Sequence, residues 1–348
     1  MILVTGSSGL VGCELVRMLH EAGDDVRGVD CAEDACNDAN RVRGDLLDAA
    51  DCRRAVEGAE AIVHTAALQH HSGLPRWGRR AFFSANVAMT RNLVTAAVDA
   101  GIRHLVFLSS DMVYGVPRGA PFVEMDTPRP IGPYGWSKVE SERLCAAARE
   151  RGMCVTILRP RLIVGPGRLG VLQKLFDRIR ANRAVPILGP GTQRYQMVSV
   201  ADVASACVAA IRKPMDETFN LGSANPPSVR ELLGQVIRRA GSTSRLVSLP
   251  KLPARAALWS LHAIRCSPLS PEQFRIADVD YVLNTAKAGR MLGWQARLDD
   301  ADMLWSAYET YASGLSAARA GRVATPRFSG EHSLAGGTTV TPPLRSGL

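Results

Sequence analysis

The stretch Ile2-Leu3-Val4-Thr5-Gly6-Ser7-Ser8-Gly9-Leu10-Val11-Gly12 runs an apolar strand straight into a glycine turn that opens a helix. Gly6 permits the tight turn after the strand. Gly9 lets the backbone approach a pyrophosphate with no Cβ in the way, and Gly12 lets the helix pack close to the sheet. Free N–H groups and the positive helix end then face phosphate oxygens. Three glycines alone carry little weight. Here they follow the first strand, open a helix and have an acid, Asp30, 18 residues beyond Gly12. The reading is a dinucleotide site.

Asp30 ends the second expected strand, Val26–Asp30. A carboxylate there accepts both ribose hydroxyls and repels a 2′-phosphate, so NAD is favoured over NADP. Cys31 follows it, not an arginine, although Arg41 and Arg43 one strand over keep NADP open. Asp45, after Gly44, is placed either to contact the adenine amino group or to cap the helix expected at 48–57.

Short apolar runs then alternate with helical patterns. Strands are expected at Ile2–Val4, Val26–Asp30, Arg41–Arg43, Ala61–Thr65, His104–Ser109 and Val155–Leu158, with helices near 10–22, 48–57, 80–100, 134–151 and 168–183. This alternation means right-handed crossovers and a parallel sheet. The strand runs are continuously apolar, as when helices cover both faces. The fold class is α/β, a Rossmann-type doubly wound parallel sheet. Beyond Pro160 the rhythm loosens, with helices near 200–212, 228–240, 254–264 and 298–314. We expect an NAD-binding domain over 1–160, a smaller C-terminal α/β substrate lobe over 161–314 interleaved with it, and a disordered tail over 315–348. The segment 254–264 is amphipathic enough to touch a membrane or a greasy substrate. The plainer reading buries Leu258, Leu261 and Ile264 in the lobe.

The chain has 348 residues, 46% hydrophobic and 22% charged, which excludes whole-chain disorder. No apolar run reaches the roughly 18 residues of a membrane span, and no secretory signal is expected at the N-terminus. The formal net charge is +9, yet no basic block interleaves with aromatics. Nucleic acid is therefore not an expected partner, whereas an anionic small molecule suits the balance. The 8 cysteines are scattered without a CxxC pair, which reads as reduced thiols in a cytoplasmic protein and no metal site.

Tyr134-Gly135-Trp136-Ser137-Lys138 starts a helix, and the spacing of four puts Tyr134 and Lys138 on one face. A tyrosine starts near pKa 10 and must fall by about three units to act as a base near neutrality, roughly 4 kcal/mol. One ammonium at about 4 Å, at an effective dielectric near 20, supplies a contribution of that size. Lys138 is the only lysine before Lys174 in a chain that otherwise uses arginine. A compact ammonium reaches a phenolate and a ribose where a planar guanidinium fits poorly. The strand ending Leu108-Ser109-Ser110 meets the carboxyl edge where such sheets place ligands. Ser110 is the candidate hydroxyl for the reacting oxygen and Ser109 the structural one. Asn86 is placed to hold a backbone carbonyl and a water, or else is a locally satisfied buried amide. Tyr114 reads as core. His70 and His71 lie on a loop toward the nicotinamide end, as substrate contacts or as solvated residues.

Taken together these residues resemble the extended short-chain dehydrogenase/reductase family, the NAD-dependent epimerase/dehydratase group, from about residue 1 to 312. The motifs are Thr5 to Gly12, Asp30, Gly44-Asp45, His64-Thr65-Ala66-Ala67, Asn86, Asn92-Leu93, Ser109 to Gly115, Tyr134 to Lys138, Arg159-Pro160, Val198 to Ala204, Phe219-Asn220-Leu221-Gly222 and Leu292-Gly293-Trp294. The resemblance implies catalysis by Ser110, Tyr134 and Lys138 with Asn86 in support. It implies NAD contacts at Gly6, Ser8, Gly9, Leu10, Gly12, Asp30, Asp45, Leu46 and Ala66, with Tyr134 and Lys138. It implies a homodimer through helices 80–100 and 134–151.

The departures concern substrate. Sugar dehydratases of the group carry an acid and then glutamate after the catalytic Ser/Thr position; here Asp111 is followed by Met112, which cannot remove a proton. Nucleotide-sugar enzymes often have asparagine three residues after the Arg159 position, where this chain has Leu162. They often have arginine at the position of Tyr195, where Arg194 is its neighbour. The run Leu158 to Gly167 is closer to the 3β-hydroxysteroid and β-hydroxy-ketone reductases. The first expectation is a nucleotide-sugar epimerase, with Asp111, Met112, Arg161, Arg168 and Arg194 facing substrate. The alternative is a dehydrogenase/reductase of a sterol-like, acyl or other hydroxy-ketone. A non-catalytic nucleotide sensor is disfavoured by the intact Tyr134–Lys138 pair.

Overall fold

A computed structural model describes residues 1–32, 40–68, 83–119, 121–165, 172–263 and 274–319. The main sheet has strands β1 (Ile2–Thr5), β2 (Val26–Asp30), β3 (Val42–Arg43), β4 (Ala61–His64), β5 (His104–Leu108), β6 (Cys154–Pro160) and β10 (Thr218–Leu221). Their spatial order is β10-β6-β5-β4-β1-β2-β3, and every pair is parallel. The order reverses between β1 and β4, the point where such sheets open a ligand crevice at their carboxyl ends.

The strands are buried on both sides because their residues serve two cores. Val4, Val63, Val106, Leu108 and Leu158 face one core with helix α1 (Leu10–Glu21) and α6 (Val200–Arg212). Leu3, Ile62, Leu105, Phe107 and Ile157 face the other, with α2 (Ala49–Val56), α3 (Ala88–Asp99) and α4 (Pro133–Arg149). Each fully buried Leu, Ile or Phe contributes roughly 1.5–3 kcal/mol.

Two segments beyond Pro160 return to this sheet: β10 pairs with β6, and α6 packs on the α1 side. Helix α6 is capped by Ser199, which accepts the Asp202 N–H at 2.9 Å. Trp294 Nε1 donates to the Asp202 carbonyl at 2.9 Å, which ties the Leu292-Gly293-Trp294 turn to that helix start. Two short parallel ladders, β7 (Leu162–Val164) with β9 (Met197–Ser199) and β8 (Val185–Leu188) with β11 (Leu246–Leu249), join α5 (Leu172–Arg180), α7 (Val229–Arg239) and α10 (Asp300–Arg319) around a third core. Helices α8 (Lys251–Ala263) and α9 (Ala286–Leu292) complete the described elements.

Three expectations change in detail. The helix expected at 80–100 begins, within the described residues, as a π-helical turn, Phe83–Val87, before α3. Helix α10 continues to Arg319, past the boundary set at 314, because its helical pattern persists into the polar composition that suggested a tail. Cys13 is disulfide-bonded, which corrects the reduced state expected there, while Cys31, Cys52, Cys145, Cys154 and Cys207 are free. Among the described residues no helix is long and apolar enough to cross a membrane, and no group of His, Cys, Asp and Glu is placed to hold a metal ion.

Candidate active site

Gly6 adopts φ +73°, and a Cβ on it would lie 2.6 Å from the Ala66 backbone nitrogen. A Cβ on Gly12 would overlap the Gly6 carbonyl. Gly12 therefore clears the turn itself, which corrects the sheet-packing role expected for it. Only the Gly6 carbonyl stands near a Cβ built on Gly9, at 3.1 Å. The N–H of Ser8 donates to Asp30 Oδ2 at 3.0 Å and that of Ala32 to Oδ1 at 2.9 Å, so Asp30 braces the glycine turn. Arg41 lies across the same place. Its Nε donates to Ser8 Oγ at 3.1 Å and its Nη2 to the Ala32 carbonyl. Leu10 starts α1, half-buried.

A pocket of about 420 Å³ opens beside the turn between Cys31, Arg43, Gly44, Asp45 and Asp51. Asp48, not Asp45, caps α2, accepting the Ala50 N–H at 2.7 Å. This removes the capping reading of Asp45 and leaves its carboxylate at the pocket. The Leu46 side chain is buried in the core, and its carbonyl accepts from Asn92 Nδ2 at 3.0 Å. Asn92 thus fixes the turn that presents Asp45. A close-approach glycine turn, a strand-end carboxylate and an adjoining pocket fit a dinucleotide with its adenosine over β2 and β3.

The second half of the crevice lies above β5 and β4. Lys138 is 3% exposed, and its Nζ donates to the Leu108 carbonyl at 2.8 Å, at the strand's end. The ammonium stands 6.0 Å from the Tyr134 ring centroid and 4.9 Å from that of Phe107. Burial lowers the Lys138 pKa from 10.5 to about 8, against the pull of Cys145 and Glu142. Asn86, buried in the π turn, accepts the Leu68 N–H at 2.7 Å. Its Nδ2 donates to the Leu68 carbonyl at 3.1 Å and to Ser137 Oγ at 3.0 Å. Single π turns recur at functional sites because they displace one side chain from the helical register. Ser110 caps the short turn Asp111–Val113, accepting the Met112 N–H at 3.2 Å and donating to Asp111 Oδ1 at 3.0 Å. The first turn of α4 lies directly on that turn: a Cβ on Gly135 would overlap the Met112 carbonyl. Gly135 thus lets the first turn of α4, which carries Tyr134, pack against the Asp111–Val113 turn. Its signal was in view, the glycine inside the Tyr134–Lys138 spacing, but its contact is 23 positions away in sequence.

Behind these groups, His64 bridges Thr5 Oγ1 at 2.7 Å and Thr90 Oγ1 at 3.1 Å, and Thr90 donates to the Asn86 carbonyl at 2.8 Å. Burial, with the Lys138 charge adding to it, lowers the His64 pKa from 6.5 to about 3. The neutral ring links the strand of the glycine turn to the helix of Asn86.

The arginines separate by partner. Arg159 grips Glu142 with two hydrogen bonds, 2.9 and 2.6 Å, and donates to Tyr114 Oη at 2.9 Å. Glu142 also accepts Ser109 Oγ at 2.5 Å, and Tyr114 donates to Asn220 Oδ1 at 2.7 Å. Ser109 and Tyr114 are therefore parts of a structural network. Arg161 is buried in an ion pair with Asp111, Nη1 to Oδ2 at 2.8 Å, between the rings of Tyr195 at 4.2 Å and Tyr281 at 4.0 Å. Tyr281 Oη donates to the Asp111 carbonyl at 2.8 Å. Arg194 is at the surface, with its backbone and side chain on Asp280. Arg161 thus pairs with Asp111 through one nitrogen, while its Nε and Nη2 are buried without a hydrogen-bond partner among the described residues, and Arg194 forms an exposed ion pair with Asp280. Met112 offers its carbonyl to α4 and packs its side chain beside Val113, Tyr281 and Tyr195. Tyr281, which the sequence reading did not name, was invisible there because its pairing with Tyr195 is tertiary. His70, His71 and Arg168 lie outside the described residues.

The comparisons agree with this geometry. Residues 2–222 match the model of the NAD dependent epimerase/dehydratase family, and the chain belongs to that family. It is similar to the uncharacterized protein y4nG of Sinorhizobium fredii, 34% identical over 89% of this chain and 78% of that one. It is 29% identical to the 4-hydroxy-2-methyl-3-oxo-4-farnesyl-3,4-dihydroquinoline-1-oxide ketoreductase of Stigmatella aurantiaca, over 85% of this chain and 92% of that one. Among solved structures it resembles the UDP-glucose 4-epimerase of Thermotoga maritima, at a TM-score of 0.74 and 25% identity, covering 90% of this chain and 99% of that one. The chain is an extended short-chain dehydrogenase/reductase enzyme with a nicotinamide-dependent fold.

Proposed function

We propose that the chain is an NAD-dependent ketoreductase or dehydrogenase that acts at a secondary alcohol carbon of an apolar hydroxy-ketone. The observation that carries the reaction is the buried Lys138 ammonium, 6.0 Å from the Tyr134 ring centroid and held on the carbonyl of Leu108, two residues before Ser110. The cofactor, when bound, supplies or accepts the hydride. In the reducing direction Tyr134 Oη gives its proton to the carbonyl oxygen as the carbon gains hydride. The Lys138 ammonium stabilises the phenolate left behind. Ser110 Oγ turns its proton from Asp111 Oδ1 to the same oxygen. Asn86 holds the Leu68 carbonyl, where a water can return a proton to Tyr134. NAD is preferred to NADP because Asp30 occupies the place a 2′-phosphate would need.

The substrate class rests on the Asp111–Arg161 pair. Moving Arg161 to a diphosphate would leave the buried Asp111 carboxylate without its cation, at a cost of several kcal/mol. The farnesyl-bearing substrate named for the Stigmatella enzyme supports an apolar substrate for this relative. The second reading is a nucleotide-sugar epimerase, which the likeness to the Thermotoga epimerase favours. In that case the ketone turns over and hydride returns to its other face. The reading includes a homodimer through α3 and α4, which sedimentation velocity tests. It also includes a cytoplasmic setting, supported by the five free thiols and opposed by the Cys13 disulfide, which cell fractionation tests.

The deciding experiment denatures the pure protein, assays released nicotinamide, and follows NADH oxidation with long-chain β-keto esters and cyclic ketones. Steady NADH consumption with little retained cofactor supports the reductase. Tightly retained NAD together with epimerisation of a UDP-sugar, and no net NADH consumption, overturns it.

A further inference from the structure

Of the exposed large apolar side chains among the described residues, four cluster between positions 247 and 259: Val247, 43% exposed, Leu249, 38%, Leu252, 82%, and Trp259, 47%. Val247 and Leu249 share one face of β11. Leu252, Ala256 and Trp259 follow the i, i+4, i+7 stripe of α8 and form its outer side, while Ala254, Arg255 and Leu258 are half-buried on the inner side. No residue from 251 to 260 is fully buried; of the residues the lobe reading buries, Leu258 is half-buried, and the Leu261 side chain and Ile264 lie outside the described residues.

Along this stretch of sequence the charge has one sign. From Leu232 to Pro271 the sequence holds no Asp or Glu but carries Arg238, Arg239, Arg245, Lys251, Arg255 and Arg265. Two acids from other segments meet them: Asp302 pairs with Arg239, and Asp278 is shared by Lys251 and Arg255 at 3.9 and 3.7 Å. The balance remains positive. A helix with tryptophan and leucine outward, basic flanks and no acids is the pattern that lies in the plane of an anionic bilayer surface.

We propose that β11 and α8 dock the protein on an anionic lipid surface, with Leu252 and Trp259 entering the headgroup layer. The surface connects to the site through one segment. Trp259 meets Phe274 edge-on at 5.0 Å, Lys251 Nζ donates to the Asp278 carbonyl at 3.0 Å, and three residues further on Tyr281 reaches the Asp111 carbonyl next to Ser110. The docked face thus leads to the substrate side of the crevice, where an apolar substrate would arrive from the bilayer. The docking itself does not rest on the ketoreductase reading, because it is measured without turnover.

The test uses the full chain and sedimentation with phosphatidylcholine vesicles, with and without phosphatidylglycerol. Binding is expected to the phosphatidylglycerol vesicles, to weaken in high salt, and to fall roughly tenfold or more in Leu252→Glu/Trp259→Glu. NADH binding by the variant should match that of the parent chain, which shows that it folds. Absence of sedimentation by the parent chain, or equal binding to neutral vesicles, overturns the proposal. So does a double variant that turns a dimer into a monomer while the parent ignores vesicles, since the face then belongs to a second copy.

Discussion

Lys138 and Arg159 are buried cations at the carboxyl ends of neighbouring strands, and they are held in opposite ways. Arg159 spends its guanidinium on Glu142 and Tyr114. Burial opposes its charge, but the Glu142 hydrogen bonds outweigh that and raise its pKa. Lys138 has a single protein acceptor among the described bonds, the Leu108 carbonyl, and burial drives its pKa down to about 8. A fully paired buried charge is architecture. A half-paired one keeps its field for something that arrives later, at a standing cost to the empty fold.

The contrast can be broken by substitution. Tyr134→Phe should lower turnover on the order of a thousandfold, about 4 kcal/mol, with NADH affinity within a few-fold. Stopped-flow hydride transfer and NADH titration check both halves, and surviving turnover removes Tyr134 as the proton donor. Arg159→Met strands Glu142 and should destabilise by about 3 kcal/mol, read by urea unfolding.

Lys138→Met should do the reverse. Between pH 8 and 10.5 the unfolded chain binds a proton at Lys138 that the folded chain has released, so parental stability rises with pH across that window. Below pH 8 the buried charge costs roughly 3 kcal/mol, of which the lost Leu108 hydrogen bond returns about one. The variant should therefore be inactive yet about 2 kcal/mol more stable near pH 7, with the gap closing above pH 8. A variant that melts below the parent would show that the ammonium is structural after all.

His64 sharpens the same comparison from the neutral side. Its folded pKa, about 3, lies below the ordinary 6.5. Its contribution is therefore fully present above pH 6.5 and is lost as pH falls toward 3, at about 1.4 kcal/mol per unit. His64→Gln should flatten that part of the stability profile, measured by urea midpoints from pH 7 to 4. The smallest effect is set by packing: Gly135→Ala should push α4 off the Ser110 turn and cut turnover about tenfold with KM little changed.

Much of the fold was legible because its signals are local. The glycine turn after β1, Asp30 at the end of β2 and the placement of Tyr134 and Lys138 on one helix were each legible at a range of a few residues. The sequence left Asp45 open between a cap and an adenine contact, because two acids three residues apart carry the same capping signal, and Asp48 is the one that caps. Nothing within a few residues of Arg161 or Arg194 announces the acid each one pairs with.

By itself the sequence determined the order of strands and helices, the phosphate turn and the phenol–ammonium pair, since each depends on backbone geometry repeating over two to four residues. Only the tertiary structure decided which cations are free to act. Lys138 finds its carbonyl 30 residues away, Arg159 its acid 17 away, Arg161 its acid 50 away and Arg194 its acid 86 away. A charge is silenced by the nearest opposite charge in space, and folding brings that neighbour from a distant part of the chain.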